Sequence, residues 1–163
     1  MKREGLLLIV TAIFPVAVIL PLACSDDPIG PRPEPPELTE WVWQNPLPQG
    51  NNLRAVCFTD ANTGTVAGDD GRILRTTNGG TTWVSQTSGT VWSLYGVSFT
   101  DANAGTVVGH KGTILRTTDG GARWVSQTSG TDNWLHAVCF TDANTGTAVG
   151  DGGTILRATT GGD

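Results

Sequence analysis

A 41-residue repeat governs what this chain can fold into. Phe58, Phe99 and Phe140 stand 41 residues apart, as do Leu53, Leu94 and Leu135, and Gly68, Gly109 and Gly150. Ala55–Thr65 reappears unchanged as Ala137–Thr147, and Val84–Thr90 as Val125–Thr131. A period near 40 residues marks stacked supersecondary units, each unable to bury its apolar face alone. The chain is rich in Thr and Val, holds 22 Gly and one Met, and shows no helical periodicity. Helical bundles and α-solenoids are therefore excluded, and the expected unit is a four-stranded propeller blade in an all-β fold.

Each unit parses the same way. In the first, strands are expected at 53–58, 65–67, 72–76 and 83–86, with turn chemistry in Thr59-Asp60-Ala61-Asn62-Thr63-Gly64 and in Gly68-Asp69-Asp70-Gly71. Between the third and fourth strands lies Thr76-Thr77-Asn78-Gly79-Gly80-Thr81-Thr82-Trp83, repeated as Thr117-Thr118-Asp119-Gly120-Gly121-Ala122-Arg123-Trp124. This resembles the Asp-box, or bacterial neuraminidase repeat, Ser/Thr-x-Asp-x-Gly-x-x-Trp. The expected structural residues are Thr76, Asn78, Gly80 and Trp83, and Thr117, Asp119, Gly121 and Trp124. The Asx side chain accepts from turn amides, Gly takes a conformation closed to other residues, and Trp packs into the blade. Such a box speaks for fold and hardly at all for chemistry.

The segment ahead of the repeats has a different character. Lys2 and Arg3 precede an uncharged apolar run, Gly5 to Ala23, which ends at Cys24. Basic flank, apolar stretch and a small residue before the cut read as an export signal over 1–23. A membrane-spanning helix is the alternative, opposed by Pro15 and Pro21. Pro-Leu-Ala-Cys resembles a bacterial lipobox, with Pro21 where Leu is usual, and implies lipidation at Cys24 and anchoring in the cell envelope. Ser25 after the cysteine implies the outer membrane. Residues 24–40 carry five prolines at 28, 31, 33, 35 and 36 and form a spacer. In extended polyproline geometry its 16 residues from Ser25 onward could reach roughly 50 Å.

Residues 41–163 hold the repeats: a closing strand and loop at 41–52, then units at 53–93, 94–134 and 135–163. Trp41-Val42-Trp43-Gln44 matches Trp83-Val84-Ser85-Gln86, so the segment opens on an isolated fourth strand. The third unit runs only into its own box, at Ala158-Thr159-Thr160-Gly161-Gly162-Asp163. Three blades are fewer than propellers usually have. Either the chain is part of a longer propeller, or two chains form a six-bladed homodimer by exchanging first strands.

The run Trp41-Val42-Trp43-Gln44-Asn45-Pro46-Leu47-Pro48-Gln49-Gly50, with Gly112-Thr113-Ile114-Leu115-Arg116-Thr117-Thr118-Asp119-Gly120-Gly121, resembles the photosystem II stability and assembly factor family of bacterial-neuraminidase-repeat propellers. The resemblance implies a non-enzymatic binding or scaffolding propeller with a protein partner and no cofactor. It also implies an arginine surface, for which Arg75, Arg116 and Arg157 are the candidates. Their recurrence at the blade period reads first as scaffold. One departure stands out: Thr65, Thr106 and Thr147 replace an aromatic usual in that family.

Composition bears on function through charge. Ten Lys and Arg against 15 Asp and Glu give a net charge of −5, which leaves no basic stripe for nucleic acid. Cys57 and Cys139 occupy equivalent positions two units apart, too far to pair, and are expected as small buried strand residues. No cysteine spacing suggests a metal site.

Columns that agree between units maintain the blade, while columns that differ are free to specialise. The differing ones are Arg54/Tyr95/His136, Asp69/His110/Asp151, Asp70/Lys111/Gly152 and the loops holding Trp92 and Trp134. By strand order these loops emerge on one face and form the candidate binding surface. The competing reading is a fragment of a glycan-binding or glycoside-hydrolase propeller of the sialidase or xyloglucanase kind. It needs paired carboxylates, approximated only by Asp69 and Asp151, and Tyr95 is the single Tyr.

Overall fold

The computed structural model describes Trp41, Gln44 and residues 50–160. The export signal, Cys24, the spacer and residues 161–163 of the third box lie outside the described residues. Eleven strands run in chain order: β1 Leu53–Phe58, β2 Gly64–Gly68, β3 Ile73–Thr76, β4 Val84–Gln86, β5 Leu94–Phe99, β6 Gly105–Gly109, β7 Ile114–Thr117, β8 Val125–Gln127, β9 Leu135–Phe140, β10 Gly146–Gly150 and β11 Ile155–Ala158. They form three antiparallel meanders, β1-β2-β3-β4, β5-β6-β7-β8 and β9-β10-β11. The first two have four strands and the third has three among the described residues. These are blades 1, 2 and 3.

The pleat assigns each side chain to one neighbour. Within β5, alternate residues face opposite blades. Leu94 is fully buried, and so is its counterpart Leu135 in β9, whereas Leu53 in β1 is 44% exposed. Ile73 in β3 is fully buried and its counterpart Ile155 is 73% exposed. The core consequently divides into two clusters, one per blade junction. Ala67, Ile73, Leu94, Val107, Leu115 and Trp124 pack between blades 1 and 2. Val108, Leu135 and Ala148 pack between blades 2 and 3, with Ile114, Val138 and Leu156 against them.

Side-chain bonds stitch the same junctions. Arg75 leaves β3 to donate to Thr65 Oγ1 (3.1 Å) and across the junction to the carbonyl of Ala102 (2.6 Å), its guanidinium lying 5.4 Å from the Phe99 ring centroid. Arg116 repeats this one blade on, donating to the Ala143 carbonyl (2.5 Å) above the Phe140 ring (5.8 Å). A threonine at position 65 leaves room and an acceptor for that guanidinium where an aromatic would fill the space. Gln86 Nε2 donates to the Gly120 carbonyl (2.8 Å), and Gln86 Oε1 accepts from Trp124 Nε1 (3.3 Å).

The two cysteines depart from expectation. Both are free, but Cys57 is only half-buried and Cys139 is exposed. Their column points toward the following blade. Its middle member, Ser98, is buried and accepts from the Phe140 backbone amide (3.0 Å), whereas nothing among the described residues covers blade 3 on that side.

Candidate functional site

Two ends of the blades do different work. At one end, the β1–β2 turns meet the Asp-boxes. Thr76 Oγ1 accepts from the Gly80 amide (2.9 Å) and donates to Asn78 Oδ1 (3.0 Å), which in turn accepts from the Thr82 amide (3.0 Å). Blade 2 reproduces this with Thr117, Gly121, Asp119 and Arg123, at 2.8, 2.8 and 2.9 Å. The Arg123 amide, then the Thr117 hydroxyl, hold the Asp119 carboxyl below the ordinary carboxylate value. Trp83 and Trp124 stand edge-on to Phe58 and Phe99 at 6.1 and 6.0 Å. The Gly79 and Gly120 amides donate to the Asn62 and Asn103 carbonyls (2.9 Å each), tying each box to its own β1–β2-type turn. The boxes are saturated with internal bonds, which is a structural assignment.

The opposite end gathers the columns that differ between units. Tight turns after β2, β6 and β10 are held by amides of Asp69, His110 and Asp151 donating to the Asn52, Ser93 and Trp134 carbonyls (2.9 Å each). The β2–β3-type turns therefore sit against the loops that enter the first strands. On this end Arg54 forms a bidentate pair with Asp69, at 3.0 and 2.9 Å, and Asn52 adds a third bond at 2.8 Å. The Arg54 and Asn52 bonds pull the Asp69 carboxyl down to about 2. His136 Nε2 lies 2.7 Å from Asp151 Oδ1.

Aromatic rings extend from the His136–Asp151 pair. Tyr95 stacks on Trp134 at 5.8 Å and lies 5.7 Å from His136. Trp134 meets His110 at 4.5 Å, and His110 stacks on Trp92 at 4.9 Å. Lys111 closes the row with its ammonium 4.6 Å from the Trp92 ring centroid, within cation–π range. Lys111 and Asp70 both have positive φ, 52° and 55°, in a turn where the third unit has Gly152. A non-glycine residue there costs on the order of 1 kcal/mol, so the position of Lys111 is held against a local preference.

Lys111, Trp92, His110, Trp134, Tyr95 and His136 thus form one connected row, and the Arg54–Asp69 pair lies at the same end of blade 1. Trp92 and Trp134 remain 41% and 42% exposed. Of the arginine candidates, Arg75 and Arg116 are spent between blades, while Arg157 is exposed at the end of the arc. Among the described residues, no group of three or more His, Cys, Asp or Glu side chains could hold a metal ion. What sequence comparison between units does not supply is the ring-on-ring order, or the part of Asn52, which the repeats place in a loop. Asn133, which binds the Thr154 hydroxyl (2.9 Å), gives no sequence signal either.

Residues 87–163 match the family model described as "Photosynthesis system II assembly factor YCF48". A solved structure of YCF48 bound to a D1 peptide is 24% identical, with a TM-score of 0.65 over 72% of this chain and 39% of that one. YCF48 from Cyanidioschyzon merolae is 27% identical, with a TM-score of 0.63 over 72% and 37%. An ancestral GH74 enzyme is 19% identical, with a TM-score of 0.54 over 68% of this chain and 18% of that chain. No curated protein matches the sequence. The resemblance to the YCF48 family of bacterial-neuraminidase-repeat propellers holds over residues 87–163, and the all-β partial propeller is shared with all three structures. The chain spans less than two fifths of the length of the YCF48 structures it matches.

Proposed function

We propose that this protein is an exported, envelope-anchored, non-enzymatic propeller whose array-bearing end binds a protein partner. The observation that carries this reading is the convergence of the unit-specific residues on one end of the blades, where Lys111, Trp92, His110, Trp134, Tyr95 and His136 make a connected row. Aromatic rings with flanking charges suit a polar, water-accessible protein contact. YCF48 bound to a D1 peptide offers a precedent for a peptide partner. A photosystem protein is the partner class that the family description suggests. A second copy of the chain, engaging the blade faces uncovered among the described residues, is the other protein partner proposed.

The glycoside-hydrolase reading is less well supported by the same array. A glycosidase acid needs a raised pKa, and Asp69 is held far down by Arg54 and Asn52. Asp151 is occupied by His136. The rings of Trp92 and Trp134 are stacked on His110 and Tyr95, which takes ring surface that a sugar would need.

A photo-crosslinking residue placed at 111, and in a separate variant at 60 on the Asp-box end, tests the proposal in the native envelope. A protein adduct from position 111 and none from position 60 is expected. Retention of the protein on cell-envelope polysaccharide, with no protein adduct from 111, would favour the glycan reading. Lys111→Gly, which restores the residue of the third unit, should abolish the adduct in a variant crosslinked from position 92 while leaving the melting temperature unchanged or slightly higher.

A further inference from the structure

We infer that the row is a pH-sensitive contact: a proton taken up by His110 opens its link to Trp92 and Trp134, so the partner is held near neutral pH and released as the pH falls toward about 5. This rests on reading this end of the blades as the partner contact and adds how that contact is regulated.

The chain has two histidines, and both stand in the row. Imidazole is the side chain that ordinarily changes charge between about pH 5 and 8. Comparison of the units shows what the histidines replace. In blade 1 the turn after β2 is clasped to β1 by Arg54 and Asp69, a pair that stays charged over that range because Asp69 is held at about 2. In blade 3 the same two columns hold His136 and Asp151, 2.7 Å apart, a clasp whose cation comes and goes with a proton. In blade 2 they hold Tyr95 and His110, which cannot form an ion pair, and ring contacts stand in its place.

The backbone fixes His110. Its amide donates to the Ser93 carbonyl (2.9 Å), and its own carbonyl accepts from the Thr113 amide (3.1 Å) and hydroxyl (2.6 Å). The ring is thereby held against Trp92, stacked at 4.9 Å, and Trp134, tilted at 4.5 Å. Nδ1 is buried there and finds no hydrogen-bond partner among the described residues. Whichever nitrogen carries the proton of the neutral ring, imidazolium has an N–H on both. Protonation therefore puts a charged donor where no acceptor stands, and an unmade bond to a buried charge is the costlier kind.

The surrounding charges do not relieve it. Lys111, next in the turn, adds a like charge, and its ammonium already occupies the Trp92 ring at 4.6 Å. The other charged or titratable groups on the elements about the ring are Tyr95 in β5, the Arg54–Asp69 pair and Asp70 in the turn that packs against β5, Asp132 in the loop that carries Trp134, and the His136–Asp151 pair. Asp69 and Asp151 each have a partner of their own, and among the described residues no ion pair joins His110 to Asp70 or Asp132. The charged ring gains most by turning Nδ1 out to water. That parts the two indoles and leaves the strand ladders untouched. Over the same range the His136–Asp151 pair tightens, so the turn of blade 3 stays in place while the middle of the row opens.

NMR of the full chain in detergent micelles, with isotope-labelled histidine, reads the opening without a partner. The two ring signals are told apart by His136→Gln or by His110→Phe. Indole ring currents should shift the His110 signal upfield at about pH 7.5, and that shift should vanish by about pH 5.5 with the melting temperature nearly level. A photo-crosslinking residue at position 91, beside Trp92 and with Lys111 in place, reads the partner in native envelope equilibrated at the same two pH values. Its protein adduct should fall about threefold or more from the higher pH to the lower, and His110→Phe should bring that ratio close to one. A His110 signal that keeps its upfield shift at both pH values overturns the switch, whatever the adduct does. An adduct of equal yield at both values in the chain that retains His110 overturns it too and leaves the partner reading standing. A His110 signal that moves as expected, with no adduct from position 91 or 111 at either pH, upholds the opening and sinks the partner reading.

Discussion

Blade 2 and blade 3 carry nearly the same sequence and live in different surroundings. Blade 2 is covered on both faces, so Leu94, Val107 and Val108 are fully buried. Among the described residues, blade 3 is covered on one face only, and residues identical to buried ones elsewhere in the chain are exposed. Ile73 and Ile155 occupy the same column of the repeat, yet they differ by nearly three quarters of the residue's surface. The lesson is that a blade's stability is a property of its junctions. An isolated meander this thin cannot bury enough apolar area to offset its ordering entropy.

That contrast can be broken in graded ways. The largest effect is expected for Leu94→Ala, which should cost about 3 kcal/mol in urea unfolding, against less than about 1 for Leu53→Ala in dilute monomer. Equal costs would mean the junctions do not carry the stability. Gly121→Ala comes next. Its φ of +86° is strained for alanine and its Cβ would run into Gln86 Oε1, so a loss of about 2 kcal/mol is expected. Gly130→Ala, at φ +73° with nothing nearby, should lose only about half that. Arg116→Ala should lose roughly 1.5–2 kcal/mol through its bond to Ala143, while Arg157→Ala should change monomer stability by less than about 0.5.

Acid sensitivity gives the finest comparison, between the two boxes. Asp60, Asp101, Asp119 and Asp142 are all held below 3.8 by turn amides, and Asp69 reaches about 2 through Arg54. Groups whose folded pKa is depressed contribute fully above their unfolded value and lose that contribution as pH falls through the folded one. Melting temperature should therefore be flat from about pH 5 upward and fall between about pH 4 and 2. Blade 1 already has Asn78 making the box contacts without a titrating group. Asp119→Asn should accordingly leave the melting temperature at neutral pH nearly unchanged and flatten the acid limb slightly.

Legibility followed the same division. Strands and turns agree with the reading from alternation and turn residues to within a residue or two, because each blade's ladder is set by local pattern. The box geometry was equally readable, since Thr76, Asn78 and Gly80 bond within eight residues of one another. The cysteines were misjudged because burial depends on what lies beyond the blade, and no strand pattern records that. The arginine column could be read two ways from recurrence. Only the arc, by setting Ala102 and Ala143 before Arg75 and Arg116, shows where those guanidinium groups go.

The sequence by itself determined the repeat, the blade and the list of residues released from maintaining it. A period of 41 with internal agreement leaves little else for the invariant columns to do. Tertiary structure alone decided that the released residues gather at one end, six of them in a connected row. It also decided that Gln44 meets Gly79 and Gly80 as Gln86 meets Gly120 and Gly121, and that among the described residues two apolar faces are uncovered. The physical reason is range. Hydrogen-bonded ladders and turns are closed by neighbours along the chain, whereas the guanidinium staples join residues 27 positions apart in sequence, and ring stacking and face burial join side chains of different loops and blades, where only the stacking of blades brings them together.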